Sequence, residues 1–552
     1  MYNRYISRKL LLHISTLCFV IQLSAQQKAA YWVCFTDKAN SIYSINRPSQ
    51  FLSQRAINRR IKNNVTITED DLPVSKQYTD SLDKMGVTVM YCSKWFNAAT
   101  IVVDDESIIS KIKSTSFIAS IEKTRDASQV KSNTIYSKNE NERATNETRY
   151  DTVLYGKSYT QIKLLNGQYL HSKGFRGNDI LIAVIDAGFK QADNYIGLTD
   201  VWKEGRIRDT RNFVNRGNSI FNDQAHGAEV LSTIASSYVD SLVGTAPDAS
   251  FMLLVSEDAQ SESPVECDNW IAAAELADSA GADIISTSLG YNNFDDSLFN
   301  FVYGSIEEQM ARITLAAEKA SSKGMVVLAS AGNDGAKTYH YIGAPANAKN
   351  ILAVGACNEK GIKADFSSLG PSSDGRIKPD VMAMGQSVIA ETSPGVYSTI
   401  SGTSLSCPLV AGLTACLMQA YPNAPSKTIR QSILESTNRY SKPDSAMGYG
   451  IPDFQKAFES LGRASTLYNS KAYAFPNPFS SNVTLVNELG NENHIVVECF
   501  DLTGEKLFSI SSFGGYTILQ NEIASLKQGV YLFRCIGEKG IDSIVGIKIN
   551  KE

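Results

Sequence analysis

Ser401-Gly402-Thr403-Ser404-Leu405-Ser406-Cys407-Pro408 sets a hydroxyl at the mouth of an apolar run that continues from Val410 to Ala420. The run reads as a buried helix, and the segment before it as the turn that starts it. Amides in the first turn of a helix have no intrahelical partner, so negative charge developing beside Ser404 would meet donors and a favourable dipole. Serine and threonine are also the preferred helix caps, and for this segment alone a plain capping role accounts for both.

A serine hydroxyl is a weak nucleophile at neutral pH, so acyl transfer needs a base to take its proton and a third group to orient the base. Two segments offer them. Ile180 to Ile185 is a continuous apolar run ending in Asp186-Ala187-Gly188. This reads as a buried parallel strand with a carboxylate at its carboxyl end, where open α/β sheets place their sites. A turn aspartate is the alternative. His226-Gly227 follows the polar loop Asn222-Asp223-Gln224 and opens a helical pattern of Val230, Leu231, Ile234 and Ala235. A surface histidine is the alternative there, but His171, His340 and His494 have no comparable setting.

Taken in chain order, Asp186, His226 and Ser404 resemble the catalytic residues of the subtilisin-like serine proteases, the subtilases. That family marks them with Asp-Thr/Ser-Gly, His-Gly-Thr and Gly-Thr-Ser-Met-Ala-x-Pro. The resemblance implies a nucleophile at Ser404, a general base at His226 and an orienting carboxylate at Asp186. Met325 to Leu328 leads into Ala329-Ser330-Ala331-Gly332-Asn333-Asp334-Gly335, which is similar to the family's Ala-Ala-Gly-Asn segment and implies Asn333 as an oxyanion donor. Ile284 to Gly290 resembles the strand whose edge pairs with the substrate backbone, implying substrate contacts at Ser288, Leu289 and Gly290. Departures from the motifs lie beside the triad: Ala187, Ala228 and Leu405 stand where the family has Thr or Ser, Thr, and Met. Cys407 reads as a small buried hydrophobe, a disulfide partner or a reactive thiol. Residues 402–406 lack the Gly-x-Ser-x-Gly elbow of the α/β-hydrolases, and His226 argues against the sedolisins, which use carboxylates in its place.

Composition bounds the rest. The 552 residues fit three to four domains, and 43% apolar with 20% charged is ordinary for a folded protein. A net charge of −4 and a pI near 5.9 give no general attraction to nucleic acid or anionic membrane. Residues 1–25 carry Arg4, Arg8 and Lys9, an apolar stretch from Leu10 to Leu23 and small residues after it, which reads as a signal peptide. No other segment is expected to approach a membrane span, so no transmembrane helix is expected in the mature chain. Eight cysteines then remain for the exported chain, and Cys34 with Cys92, Cys267 with Cys357 and Cys499 with Cys535 are the regional pairings expected if disulfides form.

Residues 26–125 read as a small α+β region with helices at Val74 to Met85 and around Ile108 to Ile112, and strands at Val87 to Tyr91, Ala98 to Val103 and Phe117 to Ile121. Its place resembles the subtilase propeptide, which assists folding and blocks the cleft; an unrelated binding domain is the alternative. Residues 126–150 are polar and read as an exposed linker, open to maturation cleavage. Residues 151–463 alternate apolar strands (Leu181 to Ile185, Phe251 to Val255, Ala282 to Thr287, Met325 to Ala329, Ile351 to Ala356) with helical stretches. The expectation is an α/β domain, a mostly parallel sheet with helices on both faces. Residues 470–552 turn to short alternating strands, expected to form a small antiparallel β-sandwich. Phe475-Pro476-Asn477-Pro478, Asp501-Leu502-Thr503-Gly504 and Leu526-x-x-Gly529-Val530-Tyr531 resemble the carboxy-terminal sorting domain of the type IX secretion system.

Together these imply a secreted or surface-held endopeptidase of a Gram-negative bacterium, made as a precursor. Its partners would be protein or peptide substrates, its own propeptide and, through the carboxy-terminal domain, the secretion machinery. No organic cofactor is implied. Structural calcium is a family habit, and Asn292, Asn293, Asp295 and Asp296 are clustered oxygen ligands, but such loops are usually turns and no metal residues are assigned. A catalytically silent surface or adhesion protein retaining the fold is the alternative function. Asp334, beside Asn333, raises the further expectation of a taste for basic side chains.

Overall fold

The computed structural model describes residues 28–126, 154–222, 224–468, 472–475, 479–481, 483–487, 494–513, 516–537 and 540–549. The expected signal peptide, nearly all of the expected linker and residues 476–478 lie outside these.

The amino-terminal lobe comprises β1 (Ala29–Phe35), α1 (Gln54–Lys62), α2 (Lys76–Lys84), β2 (Thr88–Ser93), β3 (Ala98–Val103), α3 (Ile108–Lys113) and β4 (Ile118–Arg125). The antiparallel sheet runs β2-β3-β1-β4. Tyr31, Val33, Ile101 and Val103 on one face pack with Leu82 of α2 and Ile112 of α3. The opposite face is also covered, so β3 is buried along its whole length. β1 and α1 were not expected. α1 has no apolar stripe to read: its buried residues are Ala56, Arg59 and Arg60.

The central region is built on β5 (Leu181–Asp186), β6 (Ile207–Asn212), α4 (His226–Ala235), β7 (Ser250–Val255), α5 (Val265–Ala280), β8 (Ile284–Thr287), α6 (Arg312–Ser322), β9 (Val326–Ser330), β10 (Leu352–Cys357), β11 (Val381–Met384), a hairpin of β12 (Val388–Ser393) and β13 (Val396–Ile400), and α7 (Thr403–Ala420). Seven strands form one sheet in the order β11-β10-β9-β8-β5-β7-β6, and every neighbouring pair is parallel. The five expected strands are its middle. The two unexpected ones are its edges: β6 is polar along most of its length, and β11 is only four residues long. β5 and β8 to β11 are buried at every position, because helices cover both faces. α5 and α6 share one core with Ile185, Ile285 and Val327, while α4 and α7 pack on the other face.

α7 is apolar and long enough to cross a membrane by composition, contrary to the expectation that no such segment exists after the signal peptide. It is instead the buried core helix, with Thr403 to Met418 all buried.

The carboxy-terminal unit has β14 (Ala472–Phe475), β15 (Val483–Asn487), β16 (His494–Phe500), β17 (Lys506–Phe513), β18 (Tyr516–Leu519), β19 (Gly529–Gly537) and β20 (Gly540–Lys548). They form two antiparallel sheets, β14-β15-β18 and β17-β16-β19-β20. Val483, Leu485 and Leu519 of the first share an apolar core with Val497, Cys499, Phe533 and Cys535 of the second.

The expected disulfides are absent: all eight described cysteines are free. Cys34 on β1 and Cys92 on β2 are separated by β3, so two strand spacings of about 4.8 Å put them beyond the ~7 Å Cα limit for a bridge. Cys499 faces Phe533, and Cys535 faces Val497. Cys407 is wholly buried, its Sγ donating to the Thr287 carbonyl at 3.7 Å, and burial pushes its thiol up to about 12. Of its three readings the small buried hydrophobe holds.

Candidate active site

β5 ends at Asp186, and α4 begins at His226 beside it. The two meet through His226 Nδ1 and Asp186 Oδ1, 2.6 Å apart. Their approach needs Gly227: a Cβ there would stand 2.5 Å from the Gly188 carbonyl oxygen and 2.9 Å from Asp186 Cβ. The Gly227 amide instead donates to that carbonyl at 2.8 Å. Asp186 is fully buried; its Oδ1 also accepts from the Ala187 amide at 2.8 Å, while Oδ2 has no hydrogen-bond partner among the described residues. Burial opposes protonation of His226, but the Asp186 charge and hydrogen bond outweigh it and raise the imidazolium to about 9. The Ala187 and Ala228 methyl groups are buried.

α7 starts earlier than the apolar run suggested, at Thr403, so Ser404 lies in its first turn. Gly402 precedes it, and a Cβ at that position would come within 2.8 Å of Ser404 Oγ. A side chain there would displace the hydroxyl. α7 packs beside α4, the helix that carries His226. The Ser404 carbonyl accepts from Ser288 Oγ at 2.8 Å, so the Ser288 hydroxyl is held by the helix start. Leu289 is buried and Gly290 exposed at the end of β8.

Asn333 follows β9 after a turn at Gly332, whose φ of +101° favours glycine. Asn333 Oδ1 accepts from both the amide and the hydroxyl of Thr403, each at 2.9 Å. With Oδ1 so held, Nδ2 is the end left to donate, and it lies 3.7 Å from the Cβ position of Gly402, next to Ser404. The Thr403 hydroxyl in turn accepts from the Gly332 amide at 3.2 Å. Thr403 therefore orients Asn333, a part that sequence reasoning missed.

Asp186 with His226, and Asn333 with the start of α7, are thus brought together from four distant segments. A glycine turn, a strand end and two helix starts do the positioning. The arrangement offers a base held by a carboxylate and a hydroxyl beside amide donors, the equipment of acyl transfer. The subtilase family model matches residues 177–450. Subtilisin of Bacillus pumilus is 30% identical over 310 residues, covering 55% of this chain and 98% of the relative.

The chain belongs to the subtilase family.

Subtilisin NAT of Bacillus subtilis subsp. natto is 28% identical over 387 residues, 69% of this chain and 86% of the relative. The Bacteroidota peptidase S8 propeptide domain model matches residues 30–143, and the secretion system C-terminal sorting domain model matches residues 473–546. This subtilase is accordingly a serine endopeptidase with a propeptide domain and a sorting tail that marks it for export.

The propeptide lobe covers α5. Glu275 accepts from Ser93 Oγ at 2.5 Å and from the amides of Lys94 and Trp95 at 2.8 and 3.2 Å. Asp278 pairs with Arg59, with Arg60 at 2.8 Å and with Lys94 at 2.7 Å. Asp268 pairs with Arg312 at 3.2 Å and accepts from Thr100 Oγ1 at 3.3 Å.

Two of the four clustered oxygen-bearing residues, Asp295 and Asp296, bond locally. Asp296 caps the turn at Ser297–Phe299 through the Leu298 amide, and Asp295 accepts from the Glu262 amide at 3.0 Å. Among the described residues no three His, Cys, Asp or Glu side chains converge as a metal site.

Proposed function

We propose that Ser404 attacks the scissile carbonyl of a peptide substrate while His226 takes its proton and later passes one to the leaving amine. Asp186 fixes the His226 tautomer and stabilises the imidazolium, and the acyl-enzyme on Ser404 is then hydrolysed by water. Asn333 Nδ2 and the Ser404 amide hold the oxyanion. An extended substrate runs along Ser288-Leu289-Gly290 through main-chain hydrogen bonds. The observation that carries this reading is the 2.6 Å Asp186–His226 contact, made at the helix packed against the one bearing Ser404. Export through the type IX system of a Gram-negative cell, with the carboxy-terminal domain read by that machinery, completes the reading.

Fluorophosphonate labelling of the full-length chain beside Ser404→Ala, with intact mass followed over time, tests it. Labelling confined to the unsubstituted chain, with loss of the propeptide, is expected. A chain that stays unlabelled after its propeptide is clipped off by another protease would return the silent-fold alternative.

A further inference from the structure

The three strands at the middle of the sheet are each entered through a turn: residues 179–180 lead into β5, Gly281 to Asp283 into β8, and Lys323 to Met325 into β9. These strands are neighbours in the order β9-β8-β5, and their amino ends lie at the edge of the sheet away from Asp186, the last residue of β5. α1 of the propeptide lobe bears on all three turns. Arg55 donates to the carbonyls of Asp179 and Gly281 at 2.6 and 2.9 Å and pairs with Asp283. The buried Arg59 donates to the carbonyls of Ala282, of Asp278 at 3.1 Å and of Lys323 at 3.2 Å. Asn63, just after α1, donates to the Gly324 carbonyl at 3.3 Å. Its Oδ1 accepts from the Ser426 amide at 2.6 Å, where a further helix, α8 (Ser426–Glu435), begins.

The contact is shaped for close approach. Gly281 and Gly324 follow α5 and α6 with φ of +91° and +89°; a Cβ would stand 2.6 Å from the Ala56 amide nitrogen at the first and 2.7 Å from Asn63 Nδ2 at the second. What α1 meets is main chain. The carbonyls of residues 179, 281, 282 and 323 come within reach of two guanidinium groups only when the three turns lie side by side, so α1 favours the assembled edge over any single segment of it. Asp283 ties that edge together: its Oδ2 accepts from the Leu181 amide at 3.0 Å, and its carbonyl accepts from the Val326 amide at 2.9 Å. Without help such an edge assembles slowly, because parallel neighbours are joined by long crossovers. Leu181 and Asp283 are 102 residues apart, and the entropy of each closure is lost before the contacts that reward it are made.

We propose that α1 is a folding clamp, a helix that draws the amino ends of β9, β8 and β5 together before the sheet is complete, at the opposite ends of the strands from the candidate active site. Its partner is the catalytic region of the same chain, and what it recognises is a set of backbone carbonyls, met by the planar forks of two arginines. The clamp owes nothing to the chemistry at Ser404.

Refolding and unfolding rates of the full-length Ser404→Ala chain, jumped between concentrated and dilute urea, test this. All four tryptophans, Trp32, Trp95, Trp202 and Trp270, precede residue 455, so their fluorescence follows the lobe and the catalytic region alone. Arg59→Met should slow refolding at least about tenfold and change unfolding less than about twofold, the mark of a contact already made in the transition state. Arg59→Lys keeps the charge but spans fewer carbonyls; it should slow refolding by less, and it carries the measurement if the methionine variant yields no native chain. Glu275→Gln, where the lobe meets the outer side of α5, should instead speed unfolding and leave refolding unchanged. The clamp is overturned if either Arg59 variant refolds at the normal rate and only unfolds faster, or if Glu275→Gln slows refolding as much.

Discussion

Burial alone would drive the His226 imidazole neutral, and the Asp186 carboxylate 2.6 Å away overrules it, holding the proton up to about 9. The sign of the consequence follows from the role of a base. As the proposed base, His226 must lose that proton before it can accept another from Ser404, so kcat/KM should fall as pH drops below about 9 and level off above it. Asp186→Asn removes the charge that raises the imidazolium, so its acidic limb should move to lower pH while its plateau falls; a pH–rate profile of both proteins measures this. A limb that stays put in the variant would mean that another group controls the profile. At this scale Asp186, His226, Asn333 and Ser404 were legible as candidates because each carries its chemistry in its type and stands at an apolar run's edge. Thr403 was not, since a threonine before a helix reads as a cap and its partner lies 70 residues away.

Among the elements, the meeting of β5 with α4 has the least slack. A Cβ at Gly227 would press on the Gly188 carbonyl and on Asp186 itself, so Gly227→Ala should push α4 outward and part Nδ1 from Oδ1. Overpacking of this kind costs about 1–3 kcal/mol. Loss of fluorophosphonate labelling rate together with a lowered Tm is the expected result; a variant that labels at the normal rate would show that the contact tolerates a methyl. The central strands were legible as unbroken apolar runs. The edge strands β6 and β11 were missed because an edge needs less apolar sequence, and β1 and α1 because their burial depends on a surface far along the chain.

For the whole molecule, the decisive fact is what covers α5. Glu266, Asp268, Glu275 and Asp278 would read as the solvated side of an amphipathic helix, yet all four are buried, the last three against the propeptide lobe or the residues that meet it. The cations Arg59, Arg60 and Lys94 hold the Asp278 carboxyl well below its ordinary range against the pull of burial. A depressed carboxylate contributes stability above its unfolded pKa, which is lost as pH falls through the folded value. Asp278→Asn removes the charge that three buried cations share, of which Arg60 keeps Asp71 at 2.7 Å, and breaking such a pair costs about 3–5 kcal/mol. In a Ser404→Ala background, which keeps the propeptide attached, this variant should show a lower Tm and faster clipping of the propeptide by an added protease. Unchanged clipping would mean that the apolar contact around Trp32, Trp95 and Ala98 suffices.

The sequence by itself determined the class of sheet, the order of the four candidate site residues and the sites of the propeptide and sorting domains. Apolar periodicity, glycine placement and nucleophile-bearing turns are local properties that a chain carries without its fold. Only the tertiary structure decided that α7 is a core helix, that the cysteines stay apart, that Thr403 aims Asn333, and that α1 spans the amino ends of three strands. Each of these depends on which surfaces meet across long stretches of chain, where burial turns charges and amides that look solvated into partners.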